Sequence, residues 1–275
     1  MRYNTYKMVG QKNNLIKFQK LKENNNIPHF IIVSGPELSG KGSLIKEFCS
    51  IIDKDADINK MVASVEDMRN MINNKVSRTT IYIIEDFETM SLAGQSSVLK
   101  IFEEPPENCY FIISTKNEDI MLDTIMSRGQ LFKMERYTKE ELDVFAKDKK
   151  DDPYLYELCK TPSEILYWLD RDINKFKEFI NLSYDTLLNK TIPYSLDLLK
   201  DIGYNPNEDL TYYLYYFRVL NKKIIKDFNW KDEEQYKKFM ELVEKTNKYV
   251  RSSGTRKDNL MEVYIIKLWH ILKGK

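Results

Sequence analysis

Three short apolar runs, HFIIVS (29–34), TIYIIE (80–85) and YFIIST (110–115), alternate with stretches of helical periodicity over the first ~135 residues of the chain. Each run is too short for a helix and rich in Ile, Tyr and Phe, as a strand buried on both faces should be. Strands separated by helices in this way imply a parallel sheet with crossover helices, an α/β fold. The intervening helices are expected over Lys41–Ile52, Val65–Asn73 and Leu92–Phe102. After Met134 no strand-like run follows, and the remainder reads helical. Thr138 with Glu141, and Thr161 with Glu164, form capping-box patterns; Tyr137 can staple onto Leu142, and Pro162 sits at a first helical position. Breaks are expected near 201–209 and 251–259, before a last helix, Leu260–Leu272, whose apolar side carries Leu260, Val263, Tyr264, Ile266, Lys267, Trp269 and Ile271. The expected layout is an α/β domain (1–136), a small helical domain (137–182) and an all-α domain (183–275).

Composition narrows the function classes. The 275 residues carry a net charge of +1, so an electrostatic grip on nucleic acid over the whole surface is not expected, although a local basic stripe is compatible with it. No apolar run approaches the ~18 residues of a membrane span, and the N-terminus has no signal-peptide core; a cytoplasmic protein without a membrane partner is expected. Cys49, Cys109 and Cys159 lie far apart, which supports free buried thiols rather than a zinc site or disulfides.

The stretch GPELSGKGS (35–43) follows the first strand and opens a helix. Gly35, Gly40 and Lys41 fit the G-x-x-x-x-G-K part of a phosphate-binding loop, in which backbone N–H groups cradle phosphates and the Lys reaches the terminal ones. The nucleotide-contact candidates are Gly35, Ser39, Gly40, Lys41, Gly42 and Ser43. Gly42 stands where a Ser or Thr hydroxyl should ligate magnesium, and Ser43, one residue later, is turned ~100° around the helix. At the end of the second run, Glu85 and Asp86 supply the acids that such a site needs to orient magnesium and water.

Further on, LKIFEEPPE (99–107), a strand, and DTIMSRGQLFKM (123–134) resemble the clamp-loader branch of the AAA+ ATPases, which carry L-L-K-x-L-E-E-P-P followed by T-I-x-S-R-C. VGQ (9–11), IPHFIIVSGP (27–36) and SVEDMRNMI (64–72) are similar to that family's opening segments, and the delta-prime type of bacterial subunit is the best match. The resemblance implies a RecA-like AAA+ domain, a three-helix lid and a helical collar, in a five-subunit ring that loads a sliding clamp on primed DNA. Bacterial ATPase subunits of this kind insert a four-cysteine zinc module after the phosphate loop. Here that interval holds only Cys49, so no zinc is expected.

Measured against the family pattern, the chain's own site is eroded. The acids appear in the exchanged order Glu85-Asp86; where the family has Thr or Asn as sensor 1 the alignment meets Lys116, flanked by Thr115 and Asn117, which leaves the sensor 1 residue unassigned; and Glu164 takes the place of the sensor 2 Arg. Positioning is most of the catalysis in phosphoryl transfer, so weakened or absent ATP and magnesium binding, and no independent hydrolysis, are expected. Arg128, by contrast, keeps the Arg of the S-R-C box, although the Cys has become Gly129. In the family this Arg is a finger that acts in trans on a neighbouring subunit's nucleotide. Lys100 and Arg69 match positions where relatives carry basic residues facing the DNA backbone. The implied partners are other clamp-loader subunits, the sliding clamp and primed DNA. The alternative is a catalytically active AAA+ motor subunit using Glu85 and Asp86 in exchanged roles. A P-loop nucleotide kinase has no place for EEPPE or SRGQ. LTYYLYYFRVL (210–220) reads as a core or collar helix, with a stacking platform for single strands as its alternative. His29 and His270 have no partner at ligand spacing and read as structural.

Overall fold

The computed structural model describes residues 8–72, 77–190, 210–250 and 257–274. The expected break at 201–209, most of that at 251–259, and the expected helix end at Asn73 lie outside them. The described chain divides into two compact units, before and after the Asp170–Arg171 bond.

The first unit is built on one parallel sheet of β1 (Phe30–Ser34), β2 (Asp57–Val62), β3 (Thr80–Glu85), β4 (Cys109–Thr115) and β5 (Gln130–Lys133), in the order β2-β3-β4-β1-β5. The three strands expected from sequence are its three central ones. The two edge strands were not visible in the sequence. Edge strands bury less: β2 reads DINKMV with Ile58 exposed, and β5 is four residues long with only Phe132 fully inside.

Successive strand residues point to opposite faces, and the sheet uses this to build two cores. Phe30, Ile32, Tyr82, Ile84, Phe111 and Ile113 pack on one side with residues of α3 (Val65–Ile72), α4 (Leu92–Ser97) and α5 (Leu99–Glu103). Ile31, Val33, Ile81, Ile83 and Ile112 pack on the other with α1 (Lys12–Glu23) and α2 (Lys41–Ile52). The single helix expected over Leu92–Phe102 is broken at Val98, whose backbone (φ −104°, ψ −1°) leaves the helical path. At that break the buried Gln95 side chain donates to Met90 O and accepts from Leu122 N, at 3.1 and 3.0 Å.

Beyond the sheet come α6 (Asp123–Met126), α7 (Lys139–Ala146), α8 (Pro153–Leu158) and α9 (Pro162–Leu169). Both expected capping boxes are formed, at Thr138/Glu141 and Thr161/Glu164. The second unit packs α10 (Ile173–Asn189), α11 (Leu210–Asp227), α12 (Glu233–Val250) and α13 (Lys257–Leu272) together. The domain boundary expected at 182/183 falls inside the continuous helix α10. Tyr213, Tyr215, Tyr216 and Phe217 of the aromatic run are buried in this unit, so the run is core. The buried stripe of α13 is Met261, Tyr264, Ile265, Leu268 and Leu272, and Val263 is exposed, which corrects the apolar side read from sequence. The helix is apolar nearly all round, so only the i, i+3, i+4, i+7 spacing from Met261 selects the buried face. Among the described residues no helix is long and apolar enough to cross a membrane, and the three cysteines are buried and form no disulfide.

Candidate functional site

The phosphate loop runs from the end of β1 to the start of α2, with Gly35 N donating to Thr115 O of β4 (3.1 Å). Gly40, at φ +87°, ends the loop as the N-cap of α2. That conformation is open to glycine and strained for other residues, and a Cβ here would also lie 2.8 Å from the Tyr137 hydroxyl. No side chain caps α2 and its first turn holds no acid, so its N-terminal amides are left for an anion. Ser39 is 4% exposed, and its hydroxyl oxygen has no hydrogen-bond partner. Tyr137 donates from its hydroxyl to Ser39 O (3.1 Å) and packs against Gly10, closing one flank of the loop. The VGQ segment is fixed beside it. The Gln11 amide donates to Glu135 O and accepts from Glu135 N, both at 2.8 Å.

Lys41 folds back onto the loop, its ammonium donating to Gly35 O and Pro36 O at 2.5 and 2.8 Å. Burial pushes its pKa down, a shift only partly opposed by Glu88 and Asp86 and reinforced by Lys116. Lys116 follows β4 and reaches across the site, with its Nζ 2.8 Å from Glu37 Oε1 on the loop and 3.6 Å from Asp86 Oδ1 beyond β3. Burial disfavours its charge, but the Glu37 hydrogen bond and the Glu37, Asp86 and Glu88 charges outweigh this and raise the pKa.

The two acids expected to act as a pair are separated. Glu85, the last strand residue, turns to the β2 edge and pairs with Lys60 at 3.7 Å. Asp86 leaves the strand with φ +51° and starts a short 3-10 turn, Phe87–Thr89, which carries it toward Lys116. The turn also delivers Glu88, which sequence reasoning missed. Both of its carboxylate oxygens are buried without a hydrogen-bond partner, and its charge raises the pKa of Lys41 and of Lys116. The signal was present as a third acid in EDFE (85–88), two residues after Asp86.

A nucleotide fits what the loop offers: open helix amides, Lys41 and an unpartnered Ser39 hydroxyl. A magnesium ion does not. A Cβ at Gly42 would meet nothing within 4 Å, so a hydroxyl could stand there, but glycine has none to ligate a metal. Ser43 is exposed one residue further along α2, and Asp86 is already engaged by an ammonium. Among the described residues no three His, Cys, Asp or Glu side chains group as metal ligands. Glu164 accepts from the backbone N–H groups of Lys160 and Thr161 at 2.6 and 3.1 Å, as the cap of α9.

Glu118, just past Lys116, ties three sheet elements together by accepting from Ser34 at the end of β1 and pairing with Lys133 of β5. The Lys133 and Ser34 hydrogen bonds hold its carboxyl at about 2, against an ordinary 4.5. With the folded value depressed, its stabilising contribution is complete above ~4.5 and is lost as pH falls toward about 2. Urea unfolding of Glu118→Gln should therefore show a stability deficit near neutral pH that narrows by about pH 3. An equal deficit at both would show that the carboxylate charge contributes nothing.

Arg128 lies just after α6. Its Nε donates to Glu103 Oε1 at 2.6 Å, one Nη donates to Thr124 O at 2.7 Å, and the other is 2.5 Å from Glu103 Oε1. Glu103 is the first Glu of EEPPE, so the two motifs meet in one ion pair. Gly129 sits against the sheet, where a Cβ would be 2.4 Å from Ile32 Cδ1 and 3.0 Å from Phe30 Cε1. Lys100 is exposed on α5, and Arg69 lies on α3, which packs against α5. His29 lies 3.0 Å from Cys109 O through Nδ1 and stacks on Tyr110, and His270 packs edge-on to Trp269.

Residues 50–138 match the family described as DNA polymerase III, delta subunit. The chain is 27% identical to DNA polymerase III subunit tau of Bacillus subtilis, over 49% of this chain and 30% of that protein. It is 25% identical to the sliding-clamp-loader large subunit of Escherichia phage RB69, over 52% of this chain and 47% of that protein. It thus spans under half the length of either. Among solved structures, a gamma-subunit-related DNA polymerase III protein of Thermotoga maritima superposes with a TM-score of 0.54 at 13% identity, covering 93% of this chain and 99% of that one. The fold is therefore RecA-like of the AAA+ kind, followed by helices, and the sequence is similar to clamp-loader subunits.

Proposed function

We propose that this chain is a delta-prime-like subunit of a clamp loader, which holds a nucleotide weakly or not at all, does not cut it, and lends Arg128 to a neighbour. The observation that carries this reading is the contrast between the two halves of the chemistry. In the chain's own site position 42 has no hydroxyl, Glu85 is turned to Lys60, and Lys116 stands against Asp86. Arg128 is partly exposed just past a short helix, its guanidinium held only by the surface groups Glu103, Thr124 O and Ser127 Oγ.

A magnesium ion would supply charge neutralisation to the phosphates, but position 42 offers it no hydroxyl and Asp86 is held by Lys116. What the chain's own groups do is bind and orient. The α2 amides and Lys41 hold phosphate oxygens; Lys41 must first exchange Gly35 O and Pro36 O for them. Arg128 stabilises charge on a phosphoryl group held by the adjacent subunit. The Glu103 pair that positions it is partly exposed, and pairs of that kind contribute at most about 1 kcal/mol, so a triphosphate can take the guanidinium over. In this reading the second unit is the collar of a five-membered ring. Lys100 and Arg69 face the phosphates of primed DNA, each adding a salt-dependent, sequence-independent increment of affinity.

The test is turnover by the purified chain. With ATP, magnesium and primed DNA but no partner subunits, no hydrolysis above background is expected. Turnover that disappears in Lys41→Ala would replace this reading by that of an active motor subunit.

A further inference from the structure

Two ammonium groups converge on the phosphate loop, and only Lys41 belongs to the loop. The second, Lys116, comes from the end of β4 and bridges the loop acid Glu37 (2.8 Å) to Asp86 (3.6 Å). It therefore occupies the span between a phosphate-binding loop and the acid beyond the neighbouring strand. A nucleotide site needs a cation there, because phosphate oxygens and an aspartate cannot otherwise approach one another. We propose that Lys116 is that cation, and that the site takes a nucleoside polyphosphate free of divalent metal.

The surrounding groups fit such a ligand. The set holds two positive groups, Lys41 and Lys116, and three negative ones, Glu37, Asp86 and Glu88. Glu37 stands on the loop itself and is exposed, so an arriving phosphate competes with it directly for the Lys116 ammonium. Once Glu37 swings away, Lys116 is free to donate to a phosphate oxygen while keeping Asp86. The charge of the remaining side chains then sums to zero, and the α2 N-terminus adds a positive end. The buried carboxylate of Glu88 stands near both ammoniums and favours their charged forms, although burial still leaves the Lys41 pKa lowered. The unpartnered Ser39 hydroxyl supplies one further donor inside the loop. A magnesium ion brought in on the nucleotide would meet Lys116 with like charge and no hydroxyl at Gly42. An ammonium offers three donors that can rotate, so it can span a phosphate and a carboxylate without the octahedral shell that magnesium demands.

This inference rests on the loop's retained ability to hold a nucleotide. The experiment is equilibrium binding of a fluorescent ATP analogue to the intact chain, in excess EDTA and in excess magnesium. The wild-type affinity in EDTA is expected to equal or exceed that in magnesium. Lys116→Met should lose about tenfold in EDTA, the loss of one charge-assisted contact, and Lys116→Arg should keep most of the affinity. Thermal unfolding of each variant checks that the fold is intact. Tenfold tighter binding of the wild type in magnesium would overturn the metal-free site while leaving the nucleotide reading in place. Binding by Lys116→Met as tight as wild type in EDTA would do the same. No binding in either condition would remove the nucleotide site altogether and leave standing the subunit reading, which allows an empty loop.

Discussion

Arg128→Ala should leave the fold and the chain's own nucleotide affinity unchanged, yet reduce clamp- and DNA-stimulated ATP hydrolysis by the assembled loader about 10³-fold or more, the scale of a finger acting on phosphoryl transfer. The expectation follows from where the side chain is anchored. Its hydrogen bonds run to Glu103, Thr124 O and Ser127 Oγ, all near the surface, and none reaches the core or the phosphate loop. Removing it therefore costs the monomer one partly exposed ion pair, within about 1 kcal/mol. A core residue would behave in the opposite way, with a lowered melting temperature and activity lost in proportion to unfolding. The measurement is steady-state hydrolysis by the loader reconstituted with its co-purifying subunits, beside the melting temperature of the isolated chain. Arg128→Lys separates charge from geometry. It keeps the cation but not the two-pronged guanidinium, and should recover only a minor part of the rate. Unchanged hydrolysis by Arg128→Ala would end the trans-acting role. Glu103→Gln offers an internal control: if Glu103 only parks the guanidinium between encounters, its loss should leave the rate near wild type.

How much of this was legible in the sequence depends on whether a residue's role is set locally. The central strands announce themselves because both faces are buried: HFIIVS, TIYIIE and YFIIST have almost no polar position to confuse the pattern. The edge strands β2 and β5 do not, because an edge is half solvent, and DINKMV carries the composition of a loop. Both capping boxes were readable because a cap is a relation across three residues of the same turn. The site was readable as an inventory but not as an arrangement. Glu85 and Asp86 are adjacent in sequence, and the strand's alternation followed by a left-handed Asp86 sends them to different partners. Lys116 could be aligned with a motif position, but nothing local could show that it bridges Glu37 and Asp86. Those groups come from three separate segments. Glu88 was passed over for a related reason. A third acid after a strand reads as solvated until the turn Phe87–Thr89 is seen to bury its carboxylate.

The same distinction governs Gly129, where the family pattern has Cys and this chain has glycine. On sequence grounds Gly129→Cys restores a motif and should be benign or stabilising. The packing says otherwise. A Cβ at 129 would lie 2.4 and 2.5 Å from Ile32 Cδ1 and Cγ1 and 3.0 Å from Phe30 Cε1. Neither neighbour is the loose end of a surface chain. Ile32 is fully buried in a central strand, and Phe30 is stacked on Phe102 at 3.9 Å between centroids, so neither can yield without disturbing β1 or α5. Overpacking of a well-filled core costs about 1–3 kcal/mol, and that is the expected loss for Gly129→Cys in urea unfolding. Gly129→Ala should already show much of it, because the clash begins at Cβ. The cause is tested by a second substitution. Ile32→Ala removes both Cδ1 and Cγ1, the offending atoms at 2.4 and 2.5 Å, and alone should cost about 2–5 kcal/mol. Combined with Gly129→Ala it should cost clearly less than the sum of the two, a coupling that only direct contact produces. Additive losses would mean that the backbone, not Ile32, rejects a side chain at 129. The glycine is then a packing requirement of this chain. Ile32 fills the room that a cysteine side chain at 129 would need, and the arginine beside it keeps its place at the end of α6.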